Sequence, residues 1–277
     1  MPAAVQLTIV VDNQAGDGLV AEHGLAIWIE VDDLRILFDT GQGGALPPNV
    51  TRLGLPIERA DALVLSHGHY DHTGGVPFVL ERAPAVQVWF HPALNVRRFS
   101  IRNGTARSIG MPPTAITALA EIPASRAQPV RGAERLADGV GLTGPIPRST
   151  AYEDTGGPFY LDRAGRRPDP LDDDQALWIA TPRGLVVCLG CGHAGLVNTL
   201  EQARRASGIE RVHAVVGGFH LLEASAERLE QTIDVLRALA PEVVVPLHCT
   251  GERATQVLAA ALGQSVIAGR SGLELAL

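Results

Sequence analysis

Short apolar runs separated by turn-forming residues dominate the first half of the chain. Runs rich in Val, Ile and Leu that end at Gly, Pro, Asp or Asn are typical of β-strands, and the turn signal Asp32-Asp33 predicts a hairpin. Strands are predicted at residues 5–11, 25–31, 34–38, 62–65 and 86–90. Helices are predicted at residues 47–54 and 73–82, where apolar positions lie on one face.

The second half repeats this alternation and adds two longer helices. Strands are predicted at residues 176–181, 185–189, 212–216 and 243–245, with short strands within 132–144 and near 265–267 and 273–275. Helices are predicted at residues 194–206 and 224–238. Hairpins in both halves predict an α/β fold, a four-layered α/β/β/α sandwich in a single domain over residues 1–277. The last two short strands are expected to complete the second sheet.

Two segments, residues 93–112 and 145–174, show little periodicity and are interpreted as lid-like insertions over an active site. The first holds four arginines, which are Arg97, Arg98, Arg102 and Arg107. A guanidinium group pairs well with phosphate or carboxylate, so the cluster predicts a clamp for an anionic substrate. A solvated basic surface is the alternative interpretation.

Composition restricts the classes of function. The chain has 277 residues, 46% of them hydrophobic, and a formal net charge of −7, which argues against general nucleic-acid binding. No segment has the length of a membrane span, and the first residues lack the features of a leader, so we expect a cytoplasmic protein. Cys188, Cys191 and Cys249 cannot all pair within the chain, which favours a reducing compartment. The sequence leaves the oligomeric state open.

A dense group of histidines and one aspartate follows the apolar run at residues 62–65. The group comprises His67, His69, Asp71 and His72. Imidazole and carboxylate are ligands that suit zinc, manganese and iron. In an extended chain His67 and His69 point to the same side, whereas Asp71 and His72 can face a second ion after a turn. The motif therefore predicts one or two divalent metal ions, which can activate a water molecule for attack.

Three later predicted strands also end in histidines, namely His193, His220 and His248. Because such strands are expected to end at one edge of a sheet, we expect these histidines to lie near the first motif. A lone histidine is more often a surface residue, and His23 is interpreted in that way first, with a place in the site as the alternative.

The order H-x-H-x-D-H after a buried strand resembles the signature of the metallo-β-lactamase superfamily. Further motifs lie at residues 39–41 (Asp-Thr-Gly), 146–148 (Ile-Pro-Arg), 190–195 (Gly-Cys-Gly-His-Ala-Gly), 217–221 (Gly-Gly-Phe-His-Leu) and 246–251 (Pro-Leu-His-Cys-Thr-Gly). Together they resemble the branch of metal-dependent hydrolases named after dihydropterin-ribofuranosylaminobenzene-phosphate synthase. The motifs extend from near the N-terminus to near the C-terminus.

This resemblance implies a set of metal ligands. His67 and His69 would bind a first ion, while Asp71, His72 and His248 would bind a second. Zinc is the expected ion, with manganese and iron as alternatives.

The resemblance leaves some positions open. Asp39 would orient a ligand histidine from behind. His193 would complete the first metal site, or else Cys191 would replace the usual bridging aspartate while an acidic residue near Asp174 replaces a missing histidine. We prefer His193, because an imidazole on a loop after a strand reaches a metal with ordinary geometry.

The implied function is a metal-dependent hydrolase, in which a metal-bound hydroxide attacks an anionic small-molecule ester, preferably a phosphoester or phosphodiester. Asp71 and His220 are the catalytic candidates, and His220 would be a ligand, a proton donor or a substrate contact. The candidates for binding the anionic substrate are Arg97, Arg98 and Arg148. The alternatives are an iron-dependent redox enzyme on the same scaffold and a non-catalytic metal-containing protein that binds a pterin or nucleotide.

Overall fold

Two large β-sheets pack face to face and share an apolar core in the computed structural model, which describes residues 4–277. The interpretation of the N-terminus as lacking a leader includes residues 1–3, which lie outside the described residues. With strands numbered along the chain, the first sheet has the order β16-β1-β2-β3-β4-β5-β8. Its members are β1 (Val5–Val11), β2 (Ala26–Val31), β3 (Leu34–Phe38), β4 (Ala62–Val64), β5 (Gln87–Phe90), β8 (Ala127–Pro129) and β16 (Glu274–Ala276).

The second sheet has the order β15-β14-β13-β12-β10-β9. Its members are β9 (Glu134–Ala137), β10 (Val140–Leu142), β12 (Ala176–Thr181), β13 (Gly184–Leu189), β14 (Val212–Gly218) and β15 (Val243–Leu247). The neighbours β13, β14 and β15 run parallel, so the loops that follow them leave the sheet at one edge.

Helices cover the outer face of each sheet. They are α1 (Leu46–Leu53), α3 (Val76–Arg82), α4 (Pro113–Ala120), α5 (Leu196–Ser207), α6 (Ala226–Leu239) and α7 (Glu252–Leu262). The short α2 (Tyr70–Thr73) lies instead in the loop that carries the histidine motif. Side chains alternate along each strand, so in β2 Ile27 and Ile29 face the opposite sheet while Trp28 packs under the helices. The four-layered α/β/β/α sandwich is therefore confirmed. Within residues 4–277, no helix is both long and apolar enough to cross a lipid bilayer.

Residues 93–112, which show little periodicity in the sequence, nevertheless contain regular secondary structure. This segment forms a β-hairpin of β6 (Phe99–Arg102) and β7 (Thr105–Ser108), joined by β11 (Phe159–Tyr160) from the second insertion. The three strands make a separate small sheet, which we call the roof. The side chains of the roof are half-buried or exposed on both of its faces. Residues 93–112 therefore lack the alternation of apolar and polar positions that indicates a strand with one buried face.

Other boundaries also differ from the prediction. The helix predicted at 73–82 is interrupted at Gly74-Gly75 and forms α2 and α3. Near the C-terminus, β16 pairs with β1 in the first sheet rather than completing the second, and Val266 makes only a single bridge to Val244.

The fold predicts a structural role for Asn49, a fully buried residue of α1. Its side-chain nitrogen donates to Val10 O at 2.8 Å and Val20 O at 2.9 Å, and its oxygen accepts from Val20 N at 2.8 Å. Asn49→Ala should lower the free energy of unfolding by about 2–3 kcal/mol, because buried backbone groups lose their partners. Urea denaturation measures this loss.

The matched control is Thr51→Ala, which changes an exposed residue of the same helix and should cost less than about 0.5 kcal/mol. Equal losses in the two variants would show that the hydrogen bonds of Asn49 contribute no specific stability.

Candidate metal centre

Three imidazole nitrogens converge where β4 and β13 end. His67 Nε2 lies 3.0 Å from His69 Nδ1, and His193 Nε2 lies 3.2 Å from that same atom. Tetrahedral metal–nitrogen bonds of about 2.0–2.1 Å hold ligand nitrogens about 3.3–3.4 Å apart, so the spacing fits a shared ion. All three rings are buried, and burial lowers their pKa values well below the usual range, which favours the neutral form that binds metal.

A second group lies beside the first at the start of α2. Asp71 Oδ2 is 3.1 Å from His23 Nε2 and 3.4 Å from His248 Nε2. Burial alone would raise the pKa of Asp71, but its hydrogen bonds with these two histidines lower it well below the usual range. The carboxylate is thus ionised, as a metal ligand must be.

The outer nitrogens of three of these histidines have a hydrogen-bond partner behind them, whereas His69 Nε2 has none within residues 4–277. His193 Nδ1 donates to Thr155 O at 2.9 Å, and His248 Nδ1 donates to Asn13 Oδ1 at 2.9 Å. His67 Nδ1 lies 2.9 Å from the hydroxyl of Ser66. Such partners fix the tautomer and leave the inward nitrogen with a free lone pair, which is the arrangement of metal-binding histidines.

Asp39 orders two of these rings at once. Its carboxylate accepts from the Ser66 amide at 2.8 Å, from the Ser66 hydroxyl at 2.6 Å and from His72 Nδ1 at 2.7 Å. Burial opposes a charge on His72, but the Asp39 carboxylate raises the pKa of this histidine to about 9. Asp39 therefore directs His72 Nε2 towards the centre and supports His67 through the serine.

Three non-glycine residues of the site have left-handed backbone conformations. They are Asp39 with φ 60°, His220 with φ 48° and His248 with φ 48°. Such conformations cost free energy and persist only where the surrounding structure holds them. Asp12 helps to hold His248, because its carboxylate accepts from the His248 amide at 2.7 Å.

The structure places both His193 and Cys191 in the cluster, so these two candidates are not exclusive. Cys191 Sγ lies 3.0 Å from His72 Nε2 and within 4.8 Å of ligand atoms on several other histidines. Asp174 Oδ2 accepts from the Ala194 amide at 2.6 Å, and the suggestion that this residue replaces a missing histidine stays a prediction. Burial raises the pKa of Asp174 to about 7.

Two neighbouring aspartates at the entrance to β12 connect the metal loops. Asp173 Oδ2 accepts from the amide of Gly68, which lies between His67 and His69, at 2.8 Å. Asp174 makes the equivalent bond to Ala194, directly after His193. We call this pair the clasp.

Two of the arginines expected to bind substrate, Arg98 and Arg148, are paired with groups of the protein itself. Arg98 is buried and donates to Asp169 at 2.9 Å and to Asp173 at 2.7 Å. Its positive charge therefore compensates the negative charge of the clasp carboxylate of Asp173. Arg148 donates to His193 O at 2.8 Å and to Pro170 O at 2.9 Å. It holds a metal loop from outside.

An open cavity of about 920 Å³ lies over the cluster. Its lining includes His69, His193, His248 and two arginines of the roof, Arg102 and Arg107. Arg97 is exposed and is not among the described residues that line this cavity, so its role in substrate binding stays a prediction.

His220 projects into this cavity beside His193, with the ring centroids 4.2 Å apart. Among residues 4–277, His220 Nδ1 has no hydrogen-bond partner.

Sequence reasoning gave too little weight to His23 and did not identify Asn13. A lone histidine in a turn carries no ligand spacing, and Asn13 showed only a turn signal after the first strand. Their roles depend on the distant His248, which no local pattern could reveal.

Comparisons with known proteins agree with this geometry. A family model described as the metallo-β-lactamase superfamily matches residues 20–248. A Methanocaldococcus jannaschii protein named 7,8-dihydropterin-6-methyl-4-(β-D-ribofuranosyl)-aminobenzene-5'-phosphate synthase is 31% identical over 84% of this chain and 83% of its own length. An uncharacterized protein of the same organism is 30% identical over 90% of this chain and 91% of its own length.

A crystal structure described as a metal-dependent hydrolase of the β-lactamase superfamily has a TM-score of 0.81, with 28% sequence identity and 98% of both chains covered. The resemblance drawn from the motifs is thereby confirmed over most of the chain.

The clasp predicts that Asp173→Asn weakens metal binding as well as stability. The variant leaves Arg98 with an incomplete buried ion pair, so we expect a loss of about 3–5 kcal/mol in unfolding free energy. Because Gly68 would be held less firmly, metal affinity should fall about 10–100-fold. Isothermal titration with Zn(II) measures the affinity.

The matched control is Asp172→Asn, which changes the adjacent exposed aspartate and should leave both quantities unchanged. Wild-type zinc affinity in a folded Asp173→Asn protein would contradict the role assigned to the clasp.

Proposed function

The chain belongs to the metallo-β-lactamase superfamily, and we propose that it is a metal-dependent hydrolase of anionic esters, with phosphoesters as the preferred class. The observation that carries this proposal is the convergence of three neutral imidazole nitrogens at the base of an open cavity. Protein-bound divalent ions activate water and stabilise negative charge that develops on the substrate.

In this proposal His67, His69 and His193 hold the first ion, and Asp71, His72 and His248 supply the second. Zinc is preferred because imidazole and thiol groups surround the site, while manganese and iron are the alternatives. Asp39 positions His72 and does not contact the substrate.

His220 is proposed to supply the proton that the leaving group needs. His220 lies in the cavity, and its Nδ1 has no hydrogen-bond partner in the described chain. Its ring lies beside that of His193, a proposed ligand of the first ion, with 4.2 Å between the centroids. In hydrolysis a water oxygen bonds to phosphorus, the bond from phosphorus to the ester oxygen breaks, and that oxygen leaves with a proton.

Substrate recognition is proposed to come from the roof. Arg107 offers its guanidinium group to an anionic substituent, whereas both terminal nitrogens of Arg102 are paired with the carboxylate of Glu223. Tyr70 and Phe159 offer aromatic faces in the same cavity. The name of the archaeal relative contains a phosphate and an aminobenzene ring, which supports an anionic substrate with an aromatic part for this chain.

A second candidate function follows from that relative, which is named a synthase. The same cavity and metal cluster would then join two small molecules rather than cleave one. Product analysis by mass spectrometry distinguishes them, because hydrolysis adds the mass of water and a synthase reaction joins its substrates.

The test of hydrolysis is turnover of a substrate panel by the zinc-, manganese- and iron-loaded protein. The panel contains phosphodiesters, phosphomonoesters, lactones and β-lactams. We expect phosphoester cleavage that His69→Ala abolishes through loss of a first-ion ligand, with His91→Ala as the control at a half-buried histidine outside the described cavity lining.

An absence of turnover above the His69→Ala level on every substrate would overturn the proposal. Ligand recovered unchanged would then support a binding protein, and oxygen-dependent products with iron would support the redox alternative.

His220→Gln should reduce kcat about 10²–10⁴-fold for an alkyl phosphoester, because the alkoxide leaves without a proton. The loss should be much smaller for a nitrophenyl ester, whose leaving group needs no proton. Equal losses for the two esters, with metal content unchanged, would remove the proton-donor role.

A further inference from the structure

His248 belongs to two different groups of candidate metal ligands. One group joins it to His23 and Asp71, and we call this the carboxylate triad. The other joins it to Cys191 and Cys249, and we call this the thiol triad. In each triad the ligand atoms lie within 4.8 Å of one another, which is close enough for a single ion.

His248 has only one nitrogen to offer. Its Nδ1 donates to Asn13 Oδ1 at 2.9 Å, and the asparagine side chain in turn donates to His248 O at 3.2 Å. Nε2 therefore carries the free lone pair, and one lone pair binds one ion. The two triads cannot both be filled with His248 as a ligand.

The two triads differ in chemical softness. The carboxylate triad offers an oxygen and two imidazoles, which suit manganese and ferrous iron. The thiol triad offers two sulfurs and one imidazole, which suit zinc, cadmium and cobalt far better than manganese. Each triad is thus a complete three-ligand site for a different class of ion.

The geometry of the thiols supports a built site. Cys191 and Cys249 are buried, and the Cys249 thiol donates to the Cys191 carbonyl at 3.3 Å, which holds the two loops together. His72 Nε2 lies 3.0 Å from Cys191 Sγ, so a further imidazole borders this triad. By contrast, Cys188 lies between the two sheets in the apolar core.

We propose that the second metal ion of this protein has two alternative binding sites, the carboxylate triad and the thiol triad, which share His248. The chemical softness of the ion determines which of the two sites it occupies. A thiophilic ion lies on Cys191 and Cys249, whereas a hard ion lies on Asp71 and His23. This refines the ligand set of the proposed function, because His72 then borders the thiol triad and His23 takes its place beside Asp71. The inference rests on the metal centre of the proposed function, but its readouts do not depend on turnover.

The experiment loads the full chain separately with Co(II) and Mn(II). The Co(II) protein should show an intense sulfur-to-cobalt charge-transfer band in the near ultraviolet, and the Mn(II) protein is followed by electron paramagnetic resonance. Cys249→Ser should weaken the band and lower the affinity for the second Co(II) by at least about tenfold, with Mn(II) affinity unchanged. His23→Gln should lower the affinity for Mn(II) and leave both the sulfur-to-cobalt band and the affinity for the second Co(II) unchanged.

Cys188→Ser is the matched control, because it removes a buried thiol that belongs to neither triad, and it should change the binding of neither metal. Cadmium NMR of the wild-type protein provides a test that needs no variant, since a sulfur-ligated cadmium resonates far from one bound by nitrogen and oxygen.

The proposal is overturned if wild-type Co(II) and Cd(II) proteins show no sulfur ligation. It is also overturned if Cys249→Ser and His23→Gln weaken both metals equally. If the Co(II), Cd(II) and Mn(II) spectra are as expected but the protein turns over no substrate, the two metal sites stand and the hydrolase proposal fails. Failure of the two-site proposal is therefore distinguishable from failure of the proposed function.

Discussion

The metal centre depends on the two hydrogen bonds of the clasp. Asp173 holds the loop that carries His67 and His69, and Asp174 holds the loop that carries His193. These loops follow strands of different sheets, so no shared backbone ladder sets the distance between them. Buried carboxylates are costly unless paired, and Arg98 supplies the charge that makes Asp173 tolerable. Spacings near 3 Å between imidazoles therefore rest on a buried ion pair outside the metal cluster.

Much of the scaffold was predictable because its causes are local. The strands that end before the histidine loops are apolar on both faces, and their neighbours in sequence carry clear turn signals. The order of His67, His69, Asp71 and His72 then predicted the fold family, which the family model confirms. Relatives at about 30% identity share that family over most of their length.

The parts that sequence did not predict depend on contacts between distant residues. Arg98 looked like one member of an exposed basic cluster, but two aspartates some seventy positions later make it a buried residue. Asp174 looked like a ligand because it enters a strand beside the site, but its hydrogen bond to the nearby amide of Ala194 was not visible in the sequence. The sequence shows the charge of a side chain and its position in the chain. It does not show whether that side chain contacts solvent, a metal ion or a backbone group, because the partner lies far away in the sequence.

The roof has a consequence for how such proteins diversify. Within residues 4–277 its three strands form no ladder with either large sheet, and both insertions that build it lie outside those sheets. Changes in its length or side chains leave the register of every long strand as it was. A different ligand can therefore be accommodated by changes in the roof strands, while Arg98 and the clasp, which lie in the same two insertions, still hold the metal loops. A single metal-binding scaffold combined with different roofs can in this way serve enzymes that act on different substrates.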